Sequence, residues 1–190
     1  VQLIYLQQSY LGIPVYNCIQ VIALQNGKAV SVKGSRVAKI AEKAGLTDST
    51  PVVSAGEAVS AAARELKIKQ PVQIAVLRTD SRNRQVEFAP SGISRENITS
   101  RLFWVPTADG KVYMAWQVKI LPQNSNAFWL VLVNAGDQTI LGKDDLTLSC
   151  DWSRPQYETR IPAAREVPRS NPYGRSAQVV NSSRYRVIPF

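Results

Sequence analysis

The chain has 190 residues, 45% apolar and 19% charged, with a net charge of +9, enough for one ordinary domain or two small ones and unlike a disordered segment. It contains no His and only two Cys, which excludes a tetrahedral zinc site, Ser-His-Asp chemistry and Cys-His chemistry within these residues. No run of about 18 apolar residues occurs, so no helical membrane span is expected. The one Met, Met114, is internal. The chain therefore reads as a processed or cropped piece, in which a signal peptide would not be visible.

Taken in order, Val1 to Gln8 alternates Leu3 and Tyr5 with Ile4 and Leu6 and predicts a strand. Leu11-Gly12-Ile13-Pro14 interrupts it, and Val15 to Leu24 resumes as a strongly apolar extended run. Asn26-Gly27 is a two-residue hairpin signal, after which Lys28 to Val32 forms a third strand. Residues 35–53 read as a connector with a short helical stretch near Val37 to Ala44. Ser54 with Glu57 three positions later is a capping box, and Ala58, Val59, Ala62, Ala63 and Leu66 follow at helical spacing, predicting a helix from Ser54 to about Lys67.

Beyond Pro71 the period becomes extended, with strands expected at Val72 to Leu77, Gln85 to Ala89, Arg101 to Pro106, Val112 to Leu121 and Ala127 to Asn134. Asp109-Gly110 joins two of these strands as a hairpin turn. Val112, Met114, Trp116, Val118 and Ile120 share one face against Lys111, Tyr113, Gln117 and Lys119, which implies a sheet with one wet face. Asp144 and Asp145, adjacent and on opposite sides of any extended chain, cannot act as a catalytic pair and read as a turn. The fold class is therefore α+β, a helix packed across an antiparallel sheet.

The last 40 residues differ in composition, with seven Arg, no Lys and five of the 11 Pro. From Ser153 to Ala177 no hydrophobic period survives, which predicts an extended, accessible arm. Arg154, Arg160, Arg165, Arg169 and Arg175 offer repeated cut points there for a trypsin-like protease. Cys18 and Cys150 are either inert buried thiols or, in an exported protein, a disulfide closing a long loop. The surplus positive charge is spread without a dense cluster, and the strand aromatics sit in apolar alternation, so nucleic-acid binding rests on charge alone.

The opening Ile4-Tyr5-Leu6-Gln7-Gln8-Ser9-Tyr10-Leu11-Gly12-Ile13-Pro14-Val15-Tyr16-Asn17, followed by Asn26-Gly27-Lys28-Ala29-Val30-Ser31-Val32, resembles the fungalysin/thermolysin propeptide domain. Ser54-Ala55-Gly56-Glu57-Ala58, Ala115-Trp116-Gln117-Val118 and Trp129 to Ala135 are similar to the PepSY-type second half of such pro-regions. Asn134 stands where Asp is usual, and Asp137-Gln138-Thr139 where a Thr-Gly-Glu turn is usual. Ser183 to Phe190 is similar to the opening of a fungalysin catalytic domain.

The resemblance implies two small cystatin-like units, each a helix on an antiparallel sheet, followed by the Pro/Arg-rich arm. Residues 1–34 would be the propeptide-like meander without its N-terminal part, 35–53 a connector, 54–152 the PepSY-like unit, 153–182 the arm and 183–190 the start of a catalytic domain. It further implies a secreted, non-catalytic pro-region that assists folding of a fungalysin-like zinc metalloendopeptidase and inhibits it until cleaved. The partners would be that catalytic domain, in cis, and an activating protease. No cofactor is expected in this chain, zinc belonging to the catalytic domain, and no membrane partner. The alternative on the same folds is a free-standing secreted binding or protease-inhibitor module.

Overall fold

The computed structural model describes residues 1–45, 49–68 and 73–147. They form a sheet-dominated α+β structure with nine connected strands. The first three, β1 (Gln2–Tyr10), β2 (Ile13–Gln25) and β3 (Lys28–Gly34), make an antiparallel meander with β2 in the middle. Both turns are two residues long, with φ of 49° and 74° at Leu11-Gly12 and 52° and 74° at Asn26-Gly27. Paired positive φ values match the right-handed twist of the strands they join, and Gly and Asn adopt them at little cost. The free edge of the meander along β1 carries no charged residue from Gln2 to Tyr10.

A short helix, α1 (Ile40–Ala44), follows and rests on β7 (Val112–Ile120). The longer α2 (Ala55–Glu65) begins where the capping box places it. The Ser54 hydroxyl accepts from the Glu57 N–H, and the Glu57 carboxylate accepts from the Ser54 N–H at 2.7 Å. Its buried side is Ala55, Ala58, Val59, Ala61, Ala62 and Ala63. Such short side chains let the helix backbone lie close to the sheet.

That sheet is built from β4 (Val76–Asp80), β5 (Gln85–Phe88), β6 (Ile98–Pro106), β7, β8 (Trp129–Asn134) and β9 (Ile140–Asp145), paired antiparallel in sequence order. Helix α2 packs on β6, β7, β8 and β9, and Lys143 of β9 pairs with Glu65 at its C-terminal end (2.7 Å). Leu102, Trp104, Trp116, Val118, Ile120, Val131 and Val133 face the helix and form the main core with its alanines. The Trp116 indole N–H donates to the Val53 carbonyl at 2.7 Å, so a large buried aromatic keeps its polar atom satisfied.

Four expectations change. The face opposite the helix is not simply wet: Val105, Ala115, Leu130 and Leu132 are buried there with Tyr16, Phe103, Leu141 and Leu146 against them. One strand read alone shows Tyr113, Gln117 and Lys119. The apolar cluster on that face emerges only when β6, β8 and β9 lie beside it. Asp144 and Asp145 do not form a turn but end β9, opposite Leu130 and Trp129. An edge strand tolerates charge and is protected by it. The strand expected from Val72 begins only at Val76. Among the described residues the helix lying across a sheet is α2, so a helix-on-sheet unit is seen once, and the meander is seen as a sheet.

Candidate docking surface

The meander joins the rest of the sheet through the first half of β2, where Val15 makes a parallel bridge to Trp104 of β6. The Trp104 indole N–H donates to the Tyr10 carbonyl at 2.8 Å, and the two rings lie 5.5 Å apart. Beyond this contact the strands run on with apolar residues on both faces. By register, Ile4, Leu6, Ile22, Leu24, Ala29 and Val32 share one face, with Gln2 and Gln20, while Val30 stands at a register shift between Ala29 and Ser31. Leu3, Tyr5, Ile19, Val21 and Ala23 share the other, with Gln7, Ser31 and Lys33. These residues are not hidden: Leu3 is 53% exposed, Tyr5 60%, Leu6 46%, and Val30 and Val32 57% each. A contiguous exposed apolar patch on a folded protein marks a binding site or an aggregation liability.

A joint separates this exposed sheet from the core. The register of β1 on β2 shifts between Gln7 and Ser9, so that residues 15–18 bulge out of the ladder, with Asn17 at φ 57°. A bulge leaves backbone groups unpaired, and Gln7 fills the gap, its amide donating to the Val15 carbonyl (2.7 Å) and the Cys18 carbonyl (3.1 Å). Gln8 reaches the other way. Its amide donates to the Val37 carbonyl (2.9 Å) and its side-chain oxygen accepts from the Val37 N–H (2.8 Å), a two-point clamp on the segment leaving β3. Ser35 donates to the Asn17 carbonyl (2.9 Å). Gly34 lets these chains cross: at φ 116°, a Cβ there would lie 2.1 Å from the Ile19 carbonyl oxygen.

Among the described residues the cations near the meander are met by one acid, since Lys39 pairs with Glu42 at 3.3 Å. The first 41 residues contain Lys28, Lys33, Arg36 and Lys39 and not one Asp or Glu. The titratable group at the joint is Cys18, buried in the core, whose burial pushes its thiol up from the usual range against smaller opposing hydrogen bonds from Ser35 and Val37. Cys18 also walls a shallow groove with Tyr16, Ser35, Arg36, Val105 and Leu132. Its expected partner Cys150 and the cut points Arg154, Arg160, Arg165, Arg169 and Arg175 lie outside the described residues.

Chemically the exposed apolar faces offer a surface for binding. Among the described residues no group of three or more His, Cys, Asp or Glu is placed to hold a metal ion, and no helix is long and apolar enough to cross a membrane. Sequence reading missed Gly34, and it took both faces of the first strand as apolar enough to be half buried or better, whereas Leu3, Tyr5 and Leu6 stand exposed. The paired Gln was noticed as a motif, and the joint supplies its physical reason. Residues 1–35 match the family model of the Fungalysin/Thermolysin Propeptide Motif. Comparison with curated proteins gives no match.

Proposed function

We propose that this chain is a non-catalytic pro-region of an exported fungalysin/thermolysin-type zinc metallopeptidase, which helps the catalytic domain fold and holds it latent until the chain is cut away. One observation carries the reading: the propeptide motif at residues 1–35 coincides with the three-stranded sheet whose apolar faces stand exposed. A sheet so built gains its full burial only against another surface. The capped helix and the other six strands of the sheet anchor it, and the arm from 153 to 182, with its arginines, would supply the place where an activating protease separates pro-region from peptidase.

The experiment expresses the peptidase domain of the same precursor alone, with residues 1–190 in cis, and with residues 1–190 supplied as a separate chain. The pro-region reading expects soluble, active peptidase only when the chain is present during folding, and slower peptide cleavage when it is added afterwards. A reading frame that encodes no His-Glu-x-x-His helix downstream, or a peptidase that folds and cleaves identically with and without the chain, overturns it.

A further inference from the structure

The pairing across the meander, taken row by row, separates its two faces by chemistry. On one face a row runs Tyr5, Val21, Lys33 and the next Leu3, Ala23, Ser31, with Gln25 and Lys28 beyond them beside the Asn26-Gly27 turn. The corresponding rows on the other face, Ile4, Ile22, Val32 and Gln2, Leu24, Ala29, carry no charge. The Tyr5 face is thus apolar along β1 and β2 and cationic along β3. Tyr5 is 60% exposed and Leu3 53%. Among the described residues neither Lys28 nor Lys33 has an ion-pair partner. An aromatic anchor among aliphatics with charge confined to one border is the composition of a binding surface rather than of a merely wet sheet face.

We infer that the Tyr5 face is where the meander docks on the peptidase domain, Tyr5, Leu3 and Val21 covering an apolar patch there while Lys28 and Lys33 meet two carboxylates along one side of it. This rests on the pro-region reading above and names the surface that reading uses. Charge selects the occupant. A second copy of the meander would bring two more lysines and, with no Asp or Glu in the first 41 residues, no carboxylate to meet them. The register also places the carboxylates. Lys28 stands opposite Gln25 and Lys33 opposite Val21, four positions along β2, which is about 13 Å at roughly 3.3 Å per residue. They belong on the β3 side, because β1 is uncharged from Gln2 to Tyr10 and lies two strand spacings, about 10 Å, away.

Inhibition of the separately purified peptidase domain of the same precursor by the full chain tests the assignment, at about 50 mM and about 500 mM NaCl. Lys28→Glu with Lys33→Glu reverses the cationic border. Lys67→Glu with Lys111→Glu makes the same change in charge at exposed positions off the meander. At low salt the first pair should raise the inhibitory concentration by at least about tenfold and the second by less than about threefold, and high salt should narrow the gap. Leu3→Thr with Tyr5→Thr should cost at least about tenfold, and Leu6→Thr with Val32→Thr on the other face less than about threefold, threonine being a good strand former. Zero-length carbodiimide coupling should join Lys28 and Lys33 to two different acidic residues of the peptidase.

Equal losses from the two lysine pairs, or coupling through other lysines and never through Lys28 or Lys33, overturn the acidic border. A larger loss from Leu6 and Val32 than from Leu3 and Tyr5 overturns the face. Both results leave the pro-region reading intact. An unaltered chain that neither binds nor inhibits the peptidase overturns that reading and the inference with it. If circular dichroism shows the Lys28 and Lys33 pair unfolded, Lys28→Gln with Lys33→Gln removes the charge without reversing it and should still cost at least about threefold. Sedimentation with phosphatidylserine vesicles that is lost in the Lys28 and Lys33 pair while inhibition persists would assign the face to a lipid surface and overturn the proposal.

Discussion

Replacing Gly34 by Ala tests whether the joint holds the meander together. The added methyl would sit 2.1 Å from the Ile19 carbonyl oxygen and 2.9 Å from the Gln20 Cα, both backbone atoms that cannot swing aside. Its φ of 116° adds strain that a residue with a Cβ accommodates at a cost of about 1–3 kcal/mol. To relieve the overlap the chains must part, which sacrifices the Ser35 N–H bond to the Ile19 carbonyl and the end of the β2–β3 ladder at Gln20 and Gly34, about 0.5–1.5 kcal/mol for each bond lost. With two bonds lost the sum, roughly 2–6 kcal/mol, is a large share of the 5–15 kcal/mol that holds a typical domain. Hydrogen exchange followed by mass spectrometry should therefore show loss of protection from Ile19 to Gly34, with the ladder of β6 and β7 retained. Unchanged protection in β3 together with an unchanged urea midpoint would refute the reasoning, since the strain and overlap would then have been absorbed at no cost.

Four further outcomes follow from particular contacts. Ser100 is fully buried on the helix-facing side of β6 and its hydroxyl has no hydrogen-bond partner among the described residues, so Ser100→Ala should raise stability by about 1 kcal/mol in urea titration. Trp104→Phe removes the indole N–H bond to the Tyr10 carbonyl and leaves a void beside it, and should cost about 2–4 kcal/mol by the same titration. The Ser54 hydroxyl and N–H hold the Glu57 carboxyl below the usual range. Its stabilising effect is thus present above that range and lost as pH falls through the lowered value, so Glu57→Gln should flatten the drop in urea midpoint between about pH 6 and about pH 3. Limited trypsin digestion should cut first after Arg160, Arg165, Arg169 or Arg175, Arg154 being followed by Pro155, and spare β6 to β8; early cuts at Arg101 or Lys119 instead would show the arm to be protected.

What could be read from the sequence was whatever depends on near neighbours. The Asn26-Gly27 turn, the Ser54–Glu57 cap and the alternation in β7 each declare themselves within a few residues, and each falls where expected. Strand β9 did not, because Gly142, Lys143, Asp144 and Asp145 have little intrinsic strand preference and are held by pairing with Leu132, Val131, Leu130 and Trp129. The second apolar cluster was hidden for a similar reason, since Val105, Ala115, Leu130 and Leu132 come from three strands. At the candidate site the Gln7-Gln8 pair was visible as a pattern, but its acceptors lie as far away as Val37. No local rule connects a glutamine in one strand to a carbonyl that leaves another. That both faces of the meander stand exposed is likewise a property of the assembled sheet, because apolar alternation reads the same whether or not a cover is present.

The joint at Gln7, Gln8 and Val37 is made of neutral amides and backbone groups, and the chain holds no His. The Cys18 thiol beside it is pushed away from neutrality rather than toward it. Between about pH 5 and pH 7.5 nothing at this joint gains or loses a proton. Mild acidification, a common trigger for parting protein surfaces, therefore has no handle here. On the pro-region reading, a pH change within that range leaves the hydrogen bonds of this joint in place.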